Sequence, residues 1–241
     1  MAKSKPVQSR PVIWASIRIA FTSAVILFAL LRPGMLLAGD YNNYVGANTG
    51  FAILSGDGRA IVGTTGDSIS LYKPETGGAF NLFVGRHLTD YLTVQGNYIW
   101  NSNDLTLNSV TSSPSGQASY QEMRSSTQHG VIGDVLLYFR SRRSWVRPYL
   151  SAGSGLVHLN SREKQITSFV GAAILPPRSF ASTRPALRVA VGADLKLRCG
   201  WSFRYSFSET LTSNPISDRL SPAGQGNLKN FQNLFGLVKA F

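Results

Sequence analysis

The sequence predicts an all-β chain: eight antiparallel strands wound up-and-down into a transmembrane β-barrel, preceded by a signal peptide. Three observations predict it. Stretches with a period of two, bulky apolar residues on one face and small or polar residues on the other, recur eight times between residues 44 and 241, as strands with two unlike faces do. The connections between them alternate in length: long, short, long, short, long, short, long. After residue 38 no apolar run is long enough to span a bilayer as a helix. A membrane crossing must then be made by strands, and only a closed barrel pairs every strand backbone group in lipid.

The first 38 residues read as a signal peptide and residues 39–241 as the barrel. Lys3, Lys5, Arg10 and Arg18 form a positive leader without acids, and residues 19–31 are apolar and uncharged. That run is too short for a spanning helix but fits a signal-peptide core. Arg32-Pro33-Gly34 breaks it, and Ala38 before Gly39 supplies a small residue for cleavage, although Leu36 is bulkier than the usual residue at its position. An uncleaved N-terminal anchor is the alternative, and it too exports the chain. Removing the five leader cations from the net charge of +12 leaves +7. These charges are scattered apart from a cluster at Arg140, Arg142, Arg143 and Arg147, and no nucleic-acid motif accompanies them. An exported basic chain meets anionic lipid and lipopolysaccharide phosphates instead. Cys199 is the only cysteine, which excludes an intrachain disulfide, and no lipidation pattern surrounds it.

The strands follow in order. Residues 44–54 place Val45, Ala47, Phe51 and Ile53 on one face and Gly46, Asn48 and Gly50 on the other. Residues 55–77, rich in Gly, Asp, Thr and Ser with Pro74, read as a long loop. Strands at 78–86 and 91–100 flank a short turn, the second with Leu92, Val94, Tyr98 and Trp100 outward and Thr93, Gln95 and Asn97 inward. A polar stretch, 101–126, reads as the second long loop. Residues 127–139 set Val131, Val135, Leu137 and Phe139 against Asp134, and a basic turn, 140–147, leads to a fifth strand at 149–159. A third long loop covers 160–184. Residues 185–197 oppose Leu187, Val189, Val191, Leu195 and Leu197 to Arg188, Asp194 and Lys196. After the 198–200 turn, Trp201, Phe203, Tyr205 and Phe207 alternate with Ser202, Arg204, Ser206 and Ser208. A fourth loop, 209–227, precedes the last strand. Both chain ends then fall on the short-turn side, the layout of barrels with periplasmic turns and extracellular loops.

The final stretch, 230–241, carries Phe231, Phe235, Leu237 and Phe241 on one face and Gln232, Leu234, Gly236, Val238 and Ala240 on the other. It resembles the closing strand of bacterial outer-membrane β-barrels, whose last residue is typically Phe. The resemblance implies that Phe231, Phe235, Leu237 and Phe241 form the signal read by the barrel-assembly machinery. Lys239 departs from the pattern, which more often has an apolar or aromatic residue there; its stem can snorkel to the headgroups. Residues 78–100, the run Arg147-Pro148-Tyr149-Leu150-Ser151-Ala152-Gly153-Ser154-Gly155, and residues 201–207 are similar to the OmpA-like, porin-family small β-barrel proteins. This resemblance covers residues 41–241 and implies a place in the cell outer membrane. It does not extend to the peptidoglycan-binding domain of full-length OmpA-type proteins, so that activity is not expected.

The inward charges, Asp134, Arg188, Asp194, Lys196 and Arg204, are the candidate site. An eight-stranded interior is just wide enough for side chains to fill, and buried charges must pair. The expectation is a lumen plugged by ion pairs, with a gated narrow pore for small solutes as the alternative. His158, Ser161 and Glu163 lie close together in the sequence, and an activated serine at a barrel rim suits lipid A acyl hydrolysis. The His and Ser are three apart on opposite parities, so catalysis is not expected. His87 and His129 lack companions at metal-ligand spacing, and no cofactor is expected. The resulting expectation is a non-catalytic outer-membrane protein with a structural or surface-interaction role, its partners being membrane lipid, lipopolysaccharide, the assembly machinery and an extracellular ligand of its loops.

The tail makes a testable claim. Burial of one Phe ring contributes about 1.5–3 kcal/mol, too little to decide whether a barrel forms. Deleting Phe241 should leave a barrel that refolds in detergent while its level in the outer membrane drops sharply. Unchanged membrane levels, measured by fractionation and immunoblot, would remove the recognition role.

Overall fold

The computed structural model describes residues 42–56, 59–63, 66–73, 75–113, 116–171, 177–215 and 226–241. The signal-peptide reading of residues 1–38 lies outside them. Ten strands are present: β1 (Asn43–Gly56), β2 (Arg59–Gly63), β3 (Gly66–Lys73), β4 (Glu75–His87), β5 (Leu92–Ser113), β6 (Gly116–Tyr138), β7 (Val146–Val170), β8 (Ser179–Lys196), β9 (Trp201–Ser213) and β10 (Asn227–Ala240). Eight of them, β1 and β4–β10, pair with their neighbours in an antiparallel ring. The ring closes where β1 meets β10, from Tyr44 opposite Ala240 to Gly56 opposite Leu228.

The pairing also fixes the stagger of the ring. From Leu92 the paired residues run through Leu137, Leu150, Val191, Phe207, Asn233, Phe51 and Gly78, and arrive back on β5 at Ser102, ten residues along the same strand. A closed ring with such a shear has strands tilted by roughly 35–45° and an interior that side chains can fill.

The alternation seen in the sequence sorts side chains as expected. Val45, Phe51, Tyr98, Val131, Val135, Leu137, Leu187, Val189, Val191, Phe207, Phe235 and Leu237 lie on the exposed outer face, where lipid covers them. Asn48, Gln95, Asn97, Asp134, Arg188, Asp194, Arg204, Ser206 and Gln232 are buried inside. Aromatic pairs brace the outer face of the last two strands: Phe203 and Tyr205 with Phe235, and Phe207 with Phe231.

All four long loops are shorter than the sequence suggests. The stretch 101–126 is almost wholly strand, because β5 and β6 continue in register from Leu92–Leu137 to Ser113–Gly116. β7 likewise runs on to Val170, and β8 starts at Ser179. These strands have 22, 23 and 25 residues for β5, β6 and β7, about twice the ~9–11 that a tilted membrane strand needs. Within 55–77 there is a hairpin, β2–β3, whose second strand pairs with Thr106–Ser112 of β5. β4 covers β5 only as far as Ser102, and β3 takes over above it. In 209–227, β9 extends to Ser213 and β10 starts at Asn227.

At the opposite end the turns are short. Lys239, the departure from the closing-strand pattern, has a local job there: its Nζ donates to the Cys199 carbonyl at 2.5 Å and lies 5.4 Å from the Trp201 ring. Cys199 is exposed and adopts φ of 56°, the left-handed region. In such a barrel the short turns are expected on the periplasmic side. A membrane-impermeant maleimide should therefore spare Cys199 in intact cells and modify it after permeabilisation. In a Cys199→Ser background, Ser113→Cys should label in intact cells. The reverse pattern would invert the orientation.

Candidate functional site

The site grows from inward positions of β9 and β8. Arg204 and Asp194 face each other across those strands, and alternation puts both inside. Arg204 is only 2% exposed. Its guanidinium grips Asp194 in a fork, Nε to Oδ1 at 2.6 Å and Nη2 to Oδ2 at 2.8 Å, the geometry that makes arginine–carboxylate pairs strong. The remaining donors are also engaged. Nη1 donates to Gln95 Oε1 at 2.7 Å and Nη2 to the Tyr138 hydroxyl at 2.8 Å. Tyr138 in turn donates to Asp194 Oδ2, and Tyr44 to Gln95 Oε1.

Rings surround this cation. Tyr44, Phe83 and Tyr149 have their centroids 4.8–5.4 Å from the Arg204 guanidinium carbon, a cation–π range. Two inward glycines provide the seats. A Cβ on Gly85 would come within 2.2 Å of the Tyr44 ring, and one on Gly192 within 2.5 Å of the Tyr149 ring. Any side chain at either position would push the ring into the lumen. At the short-turn end Arg147 lies over the Tyr138 ring at 3.8 Å and donates to the Asp90 carbonyl.

The network continues up the barrel. Gln95 Nε2 donates to Asn97 Oδ1 at 2.7 Å, Asn97 Nδ2 to Asp134 Oδ2 at 3.1 Å, and Arg188 Nη1 to the same Asp134 oxygen at 2.5 Å. Asn81 joins at Asn97. Higher still, Gln232 donates to Asn101 and Asn230 to Gln128. Then comes an apolar layer of Leu54, Leu105, Leu107, Tyr120, Leu159 and Leu228. Beside it sits a third buried pair, Glu122 with Arg124; Arg124 also donates to Ser161 Oγ at 3.1 Å and to the Pro177 carbonyl at 2.9 Å.

Four of the five candidate charges thus come together in two ion pairs, Asp194–Arg204 and Asp134–Arg188. Lys196 does not join them. It shares their parity, but it is the last residue of β8 and its side chain is exposed beyond the barrel wall. The pair Glu122–Arg124 went unread because it falls in the stretch taken as a loop; counting parity down from Gln128 would have placed both inside. Arg147 was assigned to a turn for the same reason, one residue inside β7. Ser161 is buried between Arg124 and Ser126, whereas His158 points outward to Thr183 Oγ1 at 2.9 Å. No nucleophile–base contact exists between them. His129 bonds to the Tyr98 hydroxyl and His87 to Thr93, and no group of three or more metal-ligating residues occurs among the described residues.

A family model described as the outer membrane protein beta-barrel domain matches residues 24–241. No curated protein matches by sequence. Among solved structures the chain is similar to Neisserial surface protein A, with 13% identity, a TM-score of 0.49 and coverage of 83% of this chain and 97% of that one. Similarity to the outer membrane protein OprG from Pseudomonas aeruginosa is at 12% identity, a TM-score of 0.45 and coverage of 83% and 96%. For Ail, the attachment invasion locus protein of Yersinia pestis, in complex with the heparin analogue sucrose octasulfate, the values are 12%, 0.44, 83% and 99%.

Removing one partner of a buried ion pair strands the other charge, at about 3–5 kcal/mol, whereas replacing both with apolar residues costs far less. Arg204→Met alone should lower stability by about that amount in urea unfolding from lipid vesicles. Arg204→Met together with Asp194→Leu should restore most of it. Additive losses would mean that the pair is not coupled.

Proposed function

This chain belongs to the outer-membrane β-barrel protein family, and on that premise we propose that it is a non-catalytic membrane protein with a structural or surface-interaction role, its lumen closed to solutes. It resides in the cell outer membrane. The observation that carries the reading is the immobilised Arg204, gripped by Asp194 and ringed by Tyr44, Phe83 and Tyr149 across the narrow interior. A guanidinium with its donors satisfied and its faces covered offers no path for water. The upper layer of leucines adds a second, apolar obstruction. What remains available to partners is the outer surface and the long ends of β5, β6 and β7 with the β2–β3 hairpin, where an extracellular ligand would bind. The outward residues Phe231, Phe235 and Leu237 of β10 and the terminal Phe241 serve the assembly machinery, and the outer wall meets lipid and lipopolysaccharide. A rim hydrolase is disfavoured by the separation of Ser161 and His158 on opposite faces.

One observation favours the second reading, a narrow pore. Between the two obstructions, Asn48 Oδ1, Asn81 Oδ1, Asp134 Oδ1, Arg188 Nε and Thr210 Oγ1 are buried without a hydrogen-bond partner among the described residues. Polar atoms so placed favour water, and a mid-barrel column of water needs only the two ends to open. Planar-bilayer recording separates the readings. The closed lumen predicts no ion-conducting steps for the native protein; regular steps would establish the pore.

A further inference from the structure

The two ends of the barrel treat their charges differently. At the long-strand end four cations are paired: Lys164 bonds to Asp104 at 2.6 Å, Arg178 lies 4.0 Å from Glu163, Lys73 is 3.9 Å from Glu75, and Arg124 holds Glu122; Arg162 is exposed without an ion pair among the described residues. At the short-turn end only Arg142 is paired among the described residues, with Asp90. Arg140, Arg143, Lys196 and Arg198 are all exposed, and none forms an ion pair among the described residues. The one exposed acidic side chain of that end among the described residues, Asp90, is already engaged. Arg142 Nε donates to its Oδ1 at 2.9 Å, and this bond holds the carboxyl below its ordinary range. Asp90 therefore stays ionised and paired with Arg142 at neutral pH, and none of the four cations has an ion-pair partner among the described residues.

These cations stand beside rings that face outward. Trp145, in the 139–145 turn, is 71% exposed, and Trp201, at the start of β9, is 42% exposed. Aromatic girdles mark where a barrel wall meets the headgroups, so Trp145 and Trp201 set the level of the inner leaflet interface. Arg140 and Arg143 share the 139–145 turn with Trp145, the Lys196 amide donates to the Trp145 carbonyl, and the Trp201 amide donates to the Arg198 carbonyl, so the four cations adjoin the two rings. A guanidinium binds a phosphate through two parallel bonds, and clustered cations at a membrane surface are drawn to anionic headgroups.

We propose that this rim, Arg140, Arg143, Lys196 and Arg198 beside Trp145 and Trp201, is a binding surface for anionic glycerophospholipid headgroups of the inner leaflet. It fixes the depth and tilt of the barrel from the periplasmic side. The occupant is a membrane lipid, because the cations lie in or beside the two adjacent turns that adjoin the exposed rings Trp145 and Trp201. The claim is independent of whether the lumen conducts.

Quenching by brominated lipid tests it, since bromine quenches tryptophan only on contact. The Trp100→Phe protein leaves Trp145 and Trp201 as the barrel reporters. In phosphatidylcholine vesicles doped with brominated phosphatidylglycerol or brominated phosphatidylcholine, the anionic lipid should quench at the lower mole fraction. Raising salt should reduce that preference in the otherwise unaltered barrel. Each single change among Arg140→Gln, Arg143→Gln, Lys196→Gln and Arg198→Gln should lower the preference by up to about fivefold, and the fourfold variant should abolish it. Lys164→Gln with Arg162→Gln, at the other end, should leave it intact. Heat-modifiable migration reports folding of every variant. Equal quenching by the two lipids at low salt, or full preference in a folded fourfold variant, overturns the proposal. So does a salt-independent preference. Capture of a soluble anionic polymer combined with equal lipid quenching would reassign the rim to a soluble partner.

Discussion

Closure of the ring at β1 and β10 is the constraint on which everything else rests. In hydrocarbon an unpaired backbone amide costs several kcal/mol, so no strand edge can be left open at membrane depth. Closing eight strands with the observed stagger makes the barrel narrow. A narrow interior cannot hold bulk water alongside full-sized side chains, and the inward residues must then satisfy one another. The chain Arg204–Gln95–Asn97–Asp134–Arg188 is the result. It draws hydrogen-bonding side chains from β5, β6, β8 and β9, with Tyr44 of β1 and Asn81 of β4 attached. Geometry imposed by lipid outside therefore dictates polar chemistry inside.

Much of this was legible in the sequence, and the reason is the two-faced wall. Wherever lipid covers the outside, the outer face must be apolar and the inner face polar, and period-two alternation appears without ambiguity. Trp201 to Ser208 is the clearest case. Legibility ended where lipid ends. Above the apolar band the outward positions of β5 are polar, as at Asp104 and Asn108, so strand and loop look alike. β5 and β6 remain paired as far as Ser113 and Gly116, within the stretch that reads as a loop. The β2–β3 hairpin was hidden for the same reason. Lys196 shows the opposite error: its parity was right, but parity says nothing about where along the axis the barrel stops.

The interior also explains choices that alternation alone leaves open. Gly85 and Gly192 occupy inward positions where a larger residue would add packing. They give that volume to Tyr44 and Tyr149, whose faces then lie against Arg204. The stack lets a charge sit in a low-dielectric place with its fork, its hydroxyl partner and its π-faces all supplied by rigid strands. Rigidity matters because a buried pair gains only where its geometry is exact enough to offset desolvation. Lys239 follows the same logic at the surface. It spends its charge on the Cys199 carbonyl and the Trp201 ring, holding the 198–200 turn to the closing strand.

The transfer of the β5 edge from β4 to β3 divides that strand into two jurisdictions. Residues up to Ser102 answer to the ring, and any change in their spacing would shift the register of all eight strands. Beyond it, β5 pairs on one side with a hairpin that no other wall strand depends on. Insertions, deletions and substitutions in β2, β3 and their tip can accumulate there without reaching the seam or the buried pairs. The barrel is in this sense an evolutionary chassis. One sector of its outer lip is free to change in length and sequence under selection, while the membrane-embedded part stays fixed.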